Sequence, residues 1–269
     1  MSDIAEAGRQ NDLELIVDAA RQAGEIALRY FRREPEVWWK NEGRSPVSAA
    51  DFAANEALAS ILRSARPNYG WLSEETDDDP ARLNSETLFV VDPIDGTRGF
   101  IAGLEMWCVS VAVVTNGRPT AGVLYAPALG ELFTAETGGP ALKNGTPIGV
   151  SDRPATEMQR LATAEEMLSG FDPDFRKTIE RAKHVPSLAY RLAMVADGRL
   201  EGTLVKRDSH DWDLAAADLI LERAGGALVD LSGHALNYNR PELSHGELCG
   251  APAAHLEAFL RQLSHRRDG

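Results

Sequence analysis

Apolar residues recur at helical spacing from the first periodic stretch of the chain: Leu13, Ile16, Val17, Ala20, Ala27, Leu28 and Phe31 lie on one face of a helix. Asn11 or Asp12 can cap its start. Arg29, Arg32 and Arg33 gather toward its end, where the helix dipole favours cations, and Glu34-Pro35 stops it. Val37–Lys40 reads as a strand and 41–46 as a loop. A second helix begins at Ser48–Asp51, with Ala53, Ala57, Leu58, Ile61 and Leu62 as its stripe, and breaks at Pro67–Gly70. Trp71–Ser73 reads as a short strand running out into Glu74-Glu75. Leu88–Val91 is an apolar run that Pro93 and Gly96 bring to a turn. Residues 107–115 form a valine-rich strand, Asn116-Gly117 marks a hairpin, and 121–125 and 131–135 continue the meander. The first half therefore predicts two helices and an antiparallel sheet.

The pattern then changes. A softer zone at 151–157 divides the chain into an α+β half, 1–150, and an α/β half, 151–269, packed intimately. Arg160–Thr163 predicts a strand, Asp174–Ala182 a helix, Ser187–Asp197 a helix ended by Gly198, and Glu201–Val205 a short strand. His210–Asp213 opens a helix whose apolar face includes Leu214, Ala217, Ile220 and Leu221 and which ends at Gly225-Gly226. Ala227–Val229 is a strand, and Ala254, Leu256, Phe259 and Leu260 mark a final helix. Strands alternating with helices define an α/β layout.

Composition narrows the function. The chain has 269 residues, enough for a sizeable core. No apolar stretch is long enough to span a bilayer, and polar Met1–Gln10 lacks the apolar core of a signal peptide. Cys108 and Cys249 alone support neither a disulfide framework nor a cysteine zinc site, so a reducing, cytoplasmic setting is expected. The net charge of −13 repels nucleic acid polymers. It does not exclude a small phosphorylated substrate, because bound cations invert the local field.

The chemistry gathers at Asp92-Pro93-Ile94-Asp95-Gly96-Thr97, a stiff turn with two carboxylates followed by backbone N–H groups and a hydroxyl. Such Asp-Pro and Asp-Gly pairs also serve as ordinary turns. Glu74 and Glu75 follow a short strand, and Asp213 sits in the first turn of a helix, where an acid is also a natural cap. Asp51 has the same dual reading. Acids converging from such distant points would repel each other and resist ionisation unless a cation held them. Hard oxygen ligands point to Mg²⁺ rather than zinc. Asp77-Asp78-Asp79 reads as a solvated loop without calcium-loop spacing.

Three stretches, Trp71-Leu72-Ser73-Glu74-Glu75-Thr76, Asp92–Thr97, and Trp212-Asp213-Leu214-Ala215-Ala216-Ala217-Asp218 with Glu222-Arg223-Ala224-Gly225-Gly226 after it, resemble in order and separation the signatures of the inositol monophosphatase superfamily. The resemblance spans nearly the whole chain. It implies a layered αβαβα sandwich of the inositol monophosphatase and fructose-1,6-bisphosphatase type. It also implies a magnesium-dependent, lithium-sensitive phosphomonoesterase. By matching position, Glu74, Asp92 and the Ile94 carbonyl would hold one Mg²⁺, and Asp92, Asp95 and Asp213 a second, with a third possible near Glu74. Thr97 would orient the attacking water with Asp51 as its partner, and Gly96 and Thr97 N–H groups would bind phosphate. Lys40 matches a family lysine near the metals, and Glu75 a supporting acid; either is equally at home on a surface.

The substrate is less legible. Gly96-Thr97-Arg98-Gly99-Phe100 leans through Arg98 to the 3′(2′),5′-bisphosphate nucleotidase branch, while Gly99 matches neither branch. Ser187 and Arg191 lie where nucleotidases carry a Gly-Ser-x-x-x-Lys pattern, with Pro186 in place of glycine. Lys206-Arg207 stands where inositol-specific members carry an acid, and Leu236–Asn239 also resembles the nucleotidases. The resemblance thus leans to hydrolysis of adenosine 3′,5′-bisphosphate, with Asp95, Gly96, Thr97, Ser187, Arg191, Lys206 and Asp213 touching substrate and His210 beside the pocket. An inositol or other sugar phosphate is the alternative, and a catalytically silent metal- or phosphate-binding protein a more distant one. The expected assembly is a monomer or homodimer.

Overall fold

The computed structural model describes residues 11–40, 45–154 and 157–263. The expectations for Met1–Gln10, most of the 41–46 loop and the Lys40 side chain fall outside the described residues.

Helix α1, Asp12–Leu28, is capped by Asn11, whose side chain accepts from Glu14 N at 2.7 Å. It stops short of the arginines expected inside it, because Arg29 to Arg33 wind into turns. Strands β1 (Val37–Lys40) and β2 (Ser45–Ser48) form a hairpin that delivers helix α2, Ala49–Ala65. The main sheet is built from β3 (Gly70–Ser73), β4 (Thr87–Asp95), β5 (Cys108–Thr115), β6 (Arg118–Ala126), β7 (Glu131–Glu136) and the short β8 (Leu142–Lys143) and β9 (Thr146–Pro147), in that order. It is mixed rather than purely antiparallel: β3 runs parallel to β4. Both strands therefore release their acids, Glu74 and Asp92, at the same sheet end, which the antiparallel expectation did not foresee. A short helix α3, Thr97–Ile101, follows β4.

In the second half, β10 (Gln159–Leu161) and the short helices α4 (Glu165–Leu168) and α5 (Pro173–Arg176) precede β11 (Ile179–Arg181). The helix expected over 174–182 is thus cut to its first three residues, in α5, and 179–181 form a strand paired parallel to β10. Thr178 and Ile179 are β-branched, and the nearby strand edge supplies ladder partners that a local pattern cannot show. Helix α6, Leu188–Ala196, then leads to β12 (Thr203–Val205), β13 (Ser209–His210), helix α7 (Asp211–Arg223) and β14 (Gly226–Asp230). Strand β15 (Ser244–His245) pairs with β13. Strand β16 (Leu248–Pro252) is the centre of a small sheet of order β12-β16-β14, covered by α8, Ala253–Gln262.

The layers are helix, sheet, helix, sheet, helix. Helices α1 and α2 pack their alanine and leucine faces on Phe89, Val91, Val111 and Val123 of the main sheet. On its other face one continuous core joins Val90, Ala112 and Leu124 to α6 and α7, and through Leu192 and Leu228 to the small sheet. This shared cluster packs the halves against each other, alongside clusters confined to the first half under α1 and α2 and to the second under α8. Close approach depends on small residues: a Cβ at Gly122 would lie 3.0 Å from the Ala216 carbonyl oxygen of α7. No helix among the described residues is long and apolar enough to cross a membrane.

Candidate metal centre and the adjoining cavity

The site is built where helices α2, α3, α6 and α7 begin near the end of β4. Asp51 is the third residue of α2 and closes a capping box: Ser48 N and Oγ donate to its Oδ2 at 2.8 and 2.6 Å. Its other oxygen, Oδ1, lies 3.1 Å from the Thr97 hydroxyl. That hydroxyl is also 3.0 Å from the Ile94 carbonyl, so its single proton has two acceptors to choose between. Asp51 has no exposed surface, and burial raises its pKa above the usual carboxylate value against the pull of Ser48 and Thr97.

Asp92 leaves β4 in a local turn, its Oδ1 accepting from Ile94 N at 3.0 Å. Asp95 faces the start of α6 and accepts from Ser187 Oγ, from Ala189 N at 2.6 Å and from Leu188 N at 3.3 Å. Asp213 closes the capping box of α7, accepting from His210 N at 2.7 Å. Gly96 turns the chain between them with φ +96°, and a Cβ there would lie 3.1–3.2 Å from Ser187. Positive φ and this close approach together leave room for glycine alone.

Asp92, Asp95 and Asp213 each present an oxygen within 4.8 Å of the others. Burial pushes Asp92 well above its usual value, and Glu74, Asp95, Asp213 and Asp51 push it further. Asp213 is likewise raised well above, by burial and then by Asp95 and Glu74. Burial also raises Asp95, although the bonds from Ser187, Ala189 and Leu188 and the charge of Arg191 oppose it. Among the described residues none of the three pairs with a lysine or arginine. The His210 ring stands 3.9 Å from Asp213, but burial lowers its pKa and favours its neutral form. Backbone N–H groups hold these acids in place without cancelling their charge. An oxygen-rich, uncompensated set of this kind fits a hard divalent cation.

Glu74, Asp92, Asp95, Gly96, Thr97 and Asp213 line one hollow of about 170 Å³, with Pro46, Arg98 and Pro186 at its edge. Glu74 follows β3 directly and extends the ladder, its N–H donating to Val91 O at 3.1 Å. Ile94 is buried and offers only its carbonyl. An adjoining cavity of about 450 Å³ shares Asp95, Asp213 and Pro186 with the hollow and is also lined by Arg191, Lys206 and Ser209. Lys206 pairs with Glu166 at the surface. Burial pulls Arg191 down to about 10, which leaves it charged at neutral pH.

Ser187, expected to touch substrate, is placed by the fold behind Asp95. It is wholly buried, its hydroxyl donates to Asp95, and it caps α6 by accepting from Tyr190 N at 3.0 Å. The serine that matches a nucleotidase motif thus also serves as a helix cap. The two departures at Gly99 and Pro186 are a single contact: a Cβ at residue 99 would lie 2.8 Å from Pro186 Cβ and Cγ. Arg98 is exposed, its guanidinium carbon 6.0 Å from the Trp39 ring centroid. His210 stacks on Trp212, with ring centroids 4.7 Å apart. Sequence reasoning missed Ser48, which fixes Asp51, although Ser48 to Asp51 has capping-box spacing.

A layered sandwich with acids from β3, β4 and α7 around one hollow defines a class of metal-dependent phosphatases, and the sequence comparison agrees. The chain matches the inositol monophosphatase family over residues 9–267 and belongs to it. A histidinol-phosphatase of Chlorobaculum parvum is 34% identical over 230 residues, covering 82% of this chain and 86% of that one. An inositol monophosphatase of Dictyostelium discoideum is 32% identical, covering 89% and 90%. The structure of an IMPase from Thermotoga maritima superposes with a TM-score of 0.83 at 26% identity, covering 95% of this chain and 97% of that one.

Proposed function

We propose that this phosphatase hydrolyses a small phosphomonoester with Mg²⁺ held by Glu74, Asp92, the Ile94 carbonyl, Asp95 and Asp213. The observation that carries this reading is the set of three acids within 4.8 Å, raised in pKa and paired with no lysine or arginine among the described residues. Divalent cations, when bound, would screen the phosphate charge and make a bound water acidic enough to attack phosphorus. The chain's own groups do the rest. Asp51, fixed by Ser48, accepts the hydrogen bond of the Thr97 hydroxyl, which keeps its proton and turns an oxygen lone pair toward the attacking water. Gly96 and Thr97 line the hollow, and their N–H groups would meet phosphate oxygens there. No serine or cysteine nucleophile is required.

The finer reading is release of the 3′-phosphate from adenosine 3′,5′-bisphosphate. It is supported by Lys206 at the position where inositol-specific members carry an acid, and by the cationic lining of the adjoining cavity, Arg191 with Lys183, Lys206 and Arg207. The second reading, an inositol monophosphate, is favoured by the relatives' names, such as the Dictyostelium enzyme. An ammonium-bearing leaving group, as in histidinol phosphate, suits this lining least.

Phosphate release from adenosine 3′,5′-bisphosphate and inositol 1-phosphate, with and without Mg²⁺, tests both levels. Mg²⁺-dependent release that Asp92→Asn abolishes supports the phosphatase mechanism. A clear preference for inositol 1-phosphate would reverse the order of the two substrates, and release unaffected by chelation would refute the metal site.

A further inference from the structure

A continuous line of hydrogen bonds joins the segment after Glu74 to the start of α7. It begins at Asp78, in the acidic run that follows β3. Both Asp78 oxygens accept from Arg82, at 2.6 Å from Nε and 3.0 Å from Nη2, and this pairing holds the Asp78 carboxyl below its usual pKa. The Arg82 side chain is only 2% exposed. Its Nη1 donates to Asn239 Oδ1 at 2.8 Å and to the Arg240 carbonyl at 3.1 Å. The Asn239 amide donates back to the Arg82 carbonyl at 3.2 Å, and the Asn239 backbone N–H donates to Asp211 Oδ2 at 2.8 Å. The other Asp211 oxygen lies 2.8 Å from His245 Nε2. Asp211 has no exposed surface and is the first residue of α7, in the same turn as Asp213.

We propose that Arg82 and Asn239 are positioning residues of the metal centre: their bonds to Asp78 and Asp211 fix the spacing of Glu74 and Asp213. This rests on the metal-site reading above. None of Asp78, Arg82, Asn239 and Asp211 lines the hollow, so each acts through the two acids that do. Glu74 and Asp213 oppose each other, since Glu74 helps to raise Asp213. Their charges favour separation until a cation arrives, and a site preorganised for that cation needs a support that resists it. The line supplies one. A buried guanidinium is costly unless fully bonded, and Arg82 directs its fork to a residue 157 positions away. Asn239 meets it with a left-handed backbone, φ +55°, a conformation uncommon outside glycine and best tolerated by asparagine and aspartate. A costly side chain and a costly backbone thus meet at one contact, and that contact joins the segments that deliver Glu74 and Asp213. His245 holds the far end by fixing the Asp211 carboxylate.

The test is Mg²⁺ affinity, read by calorimetric titration of chelator-stripped protein. Asn239→Gly cuts the line with the least damage. Glycine adopts the left-handed backbone freely and keeps the N–H to Asp211, while Arg82 keeps Asp78 and the Arg240 carbonyl, so no charge is left unpaired and the fold should persist. Mg²⁺ binding should weaken by about 10-fold, the lower end of what residues behind metal ligands contribute. Asn239→Asp keeps an oxygen for Arg82 and should bind within about threefold of wild type. Arg199→Met, destabilised at the far end of α6, should bind as wild type does. Turnover of Asn239→Gly should fall more at limiting than at saturating Mg²⁺. Wild-type affinity in Asn239→Gly overturns the proposal. So does equal weakening in Arg199→Met, which would show that affinity merely follows stability, or an Asn239→Asp as weak as Asn239→Gly. If the wild-type protein binds no Mg²⁺, the metal-site reading fails and this proposal falls with it.

Discussion

The two ends of helix α6 carry two clusters of acids built in opposite ways. At its N-terminus Asp95 accepts bonds from Ser187, Leu188 and Ala189 and stands beside Asp92 and Asp213 without a lysine or arginine partner among the described residues. At its C-terminus Asp197 and Glu131 meet cations the chain itself supplies. Lys143 lies 2.7 Å from Glu131 and 3.0 Å from Asp197, and Arg199 lies 3.0 and 2.7 Å from the same two acids. Burial raises Glu131, yet Lys143, Tyr190 and Arg199 prevail and hold it below its usual value. Asp92 and Asp213 move the other way. Acids with built-in cations are structural. Acids fixed by N–H groups but left uncompensated could hold a cation from outside.

Mutation separates the two ends most strongly. Asp92→Asn should lower Mg²⁺-dependent turnover by about 10³-fold, on the scale of losing a preorganised electrostatic group, and should raise the melting temperature of chelated protein by removing a repulsive charge. Arg199→Met should do the reverse. It leaves Glu131 and Asp197 with Lys143 alone and should cost about 1–3 kcal/mol, discounted because Arg199 is partly exposed, while turnover stays within about threefold. Steady-state kinetics and thermal melts on the two variants suffice. A destabilised Asp92→Asn in chelator would contradict the contrast.

The pH response follows from the directions of the shifts. A carboxyl whose folded pKa is raised stabilises the fold below its unfolded value, and that stability is lost as pH rises through the folded value. Chelated protein should therefore lose stability from about pH 4 toward neutrality, as Asp92, Asp95 and Asp213 ionise unpaired. Saturating Mg²⁺ should flatten this limb, and Mg²⁺ should bind more tightly as pH rises. Asp218, pushed up to about 6 by burial against its bond from Tyr238, lies outside the hollow. Its share, on the order of 3 kcal/mol lost between about pH 4 and 6, should persist with Mg²⁺. Denaturant melts across pH with Mg²⁺ and with chelator measure both components; identical profiles would sever the acids from metal binding.

A smaller effect tests the wall between hollow and cavity. Gly99→Ala should cost about 1–3 kcal/mol by overpacking against Pro186, and Pro186→Gly should relieve most of that cost in the double variant. Additive costs would show that the two positions are not coupled.

Local features of this site were legible in the sequence. Asp92-Pro93-Ile94-Asp95-Gly96-Thr97 specifies its own turn, and the starts of α2 and α7 follow from Asp51 and Asp213 in first-turn positions. What failed was non-local. Strand β11 exists because β10 lies beside it, and β16, a short run through Cys249 and Gly250, reads as a strand only once β12 and β14 flank it. The meeting of Glu74 with Asp92 rests on the parallel pairing of β3 and β4; motif resemblance implied that meeting, and periodicity alone did not. Ser187 carried a family motif whose local role is to cap a helix. Gly99 and Pro186 stood out separately, and only the fold shows that one makes room for the other.

In the proposed mechanism, divalent cations supply the charge this acid cluster lacks. Titration of Mn²⁺, as a paramagnetic stand-in for Mg²⁺, into chelator-stripped protein at pH 7.5, followed by electron paramagnetic resonance, measures this directly. At least two bound ions per chain are expected, competed off by Mg²⁺ and reduced in Asp92→Asn. Unbroken free-ion signal through the titration, or binding that Asp92→Asn leaves untouched, would contradict it.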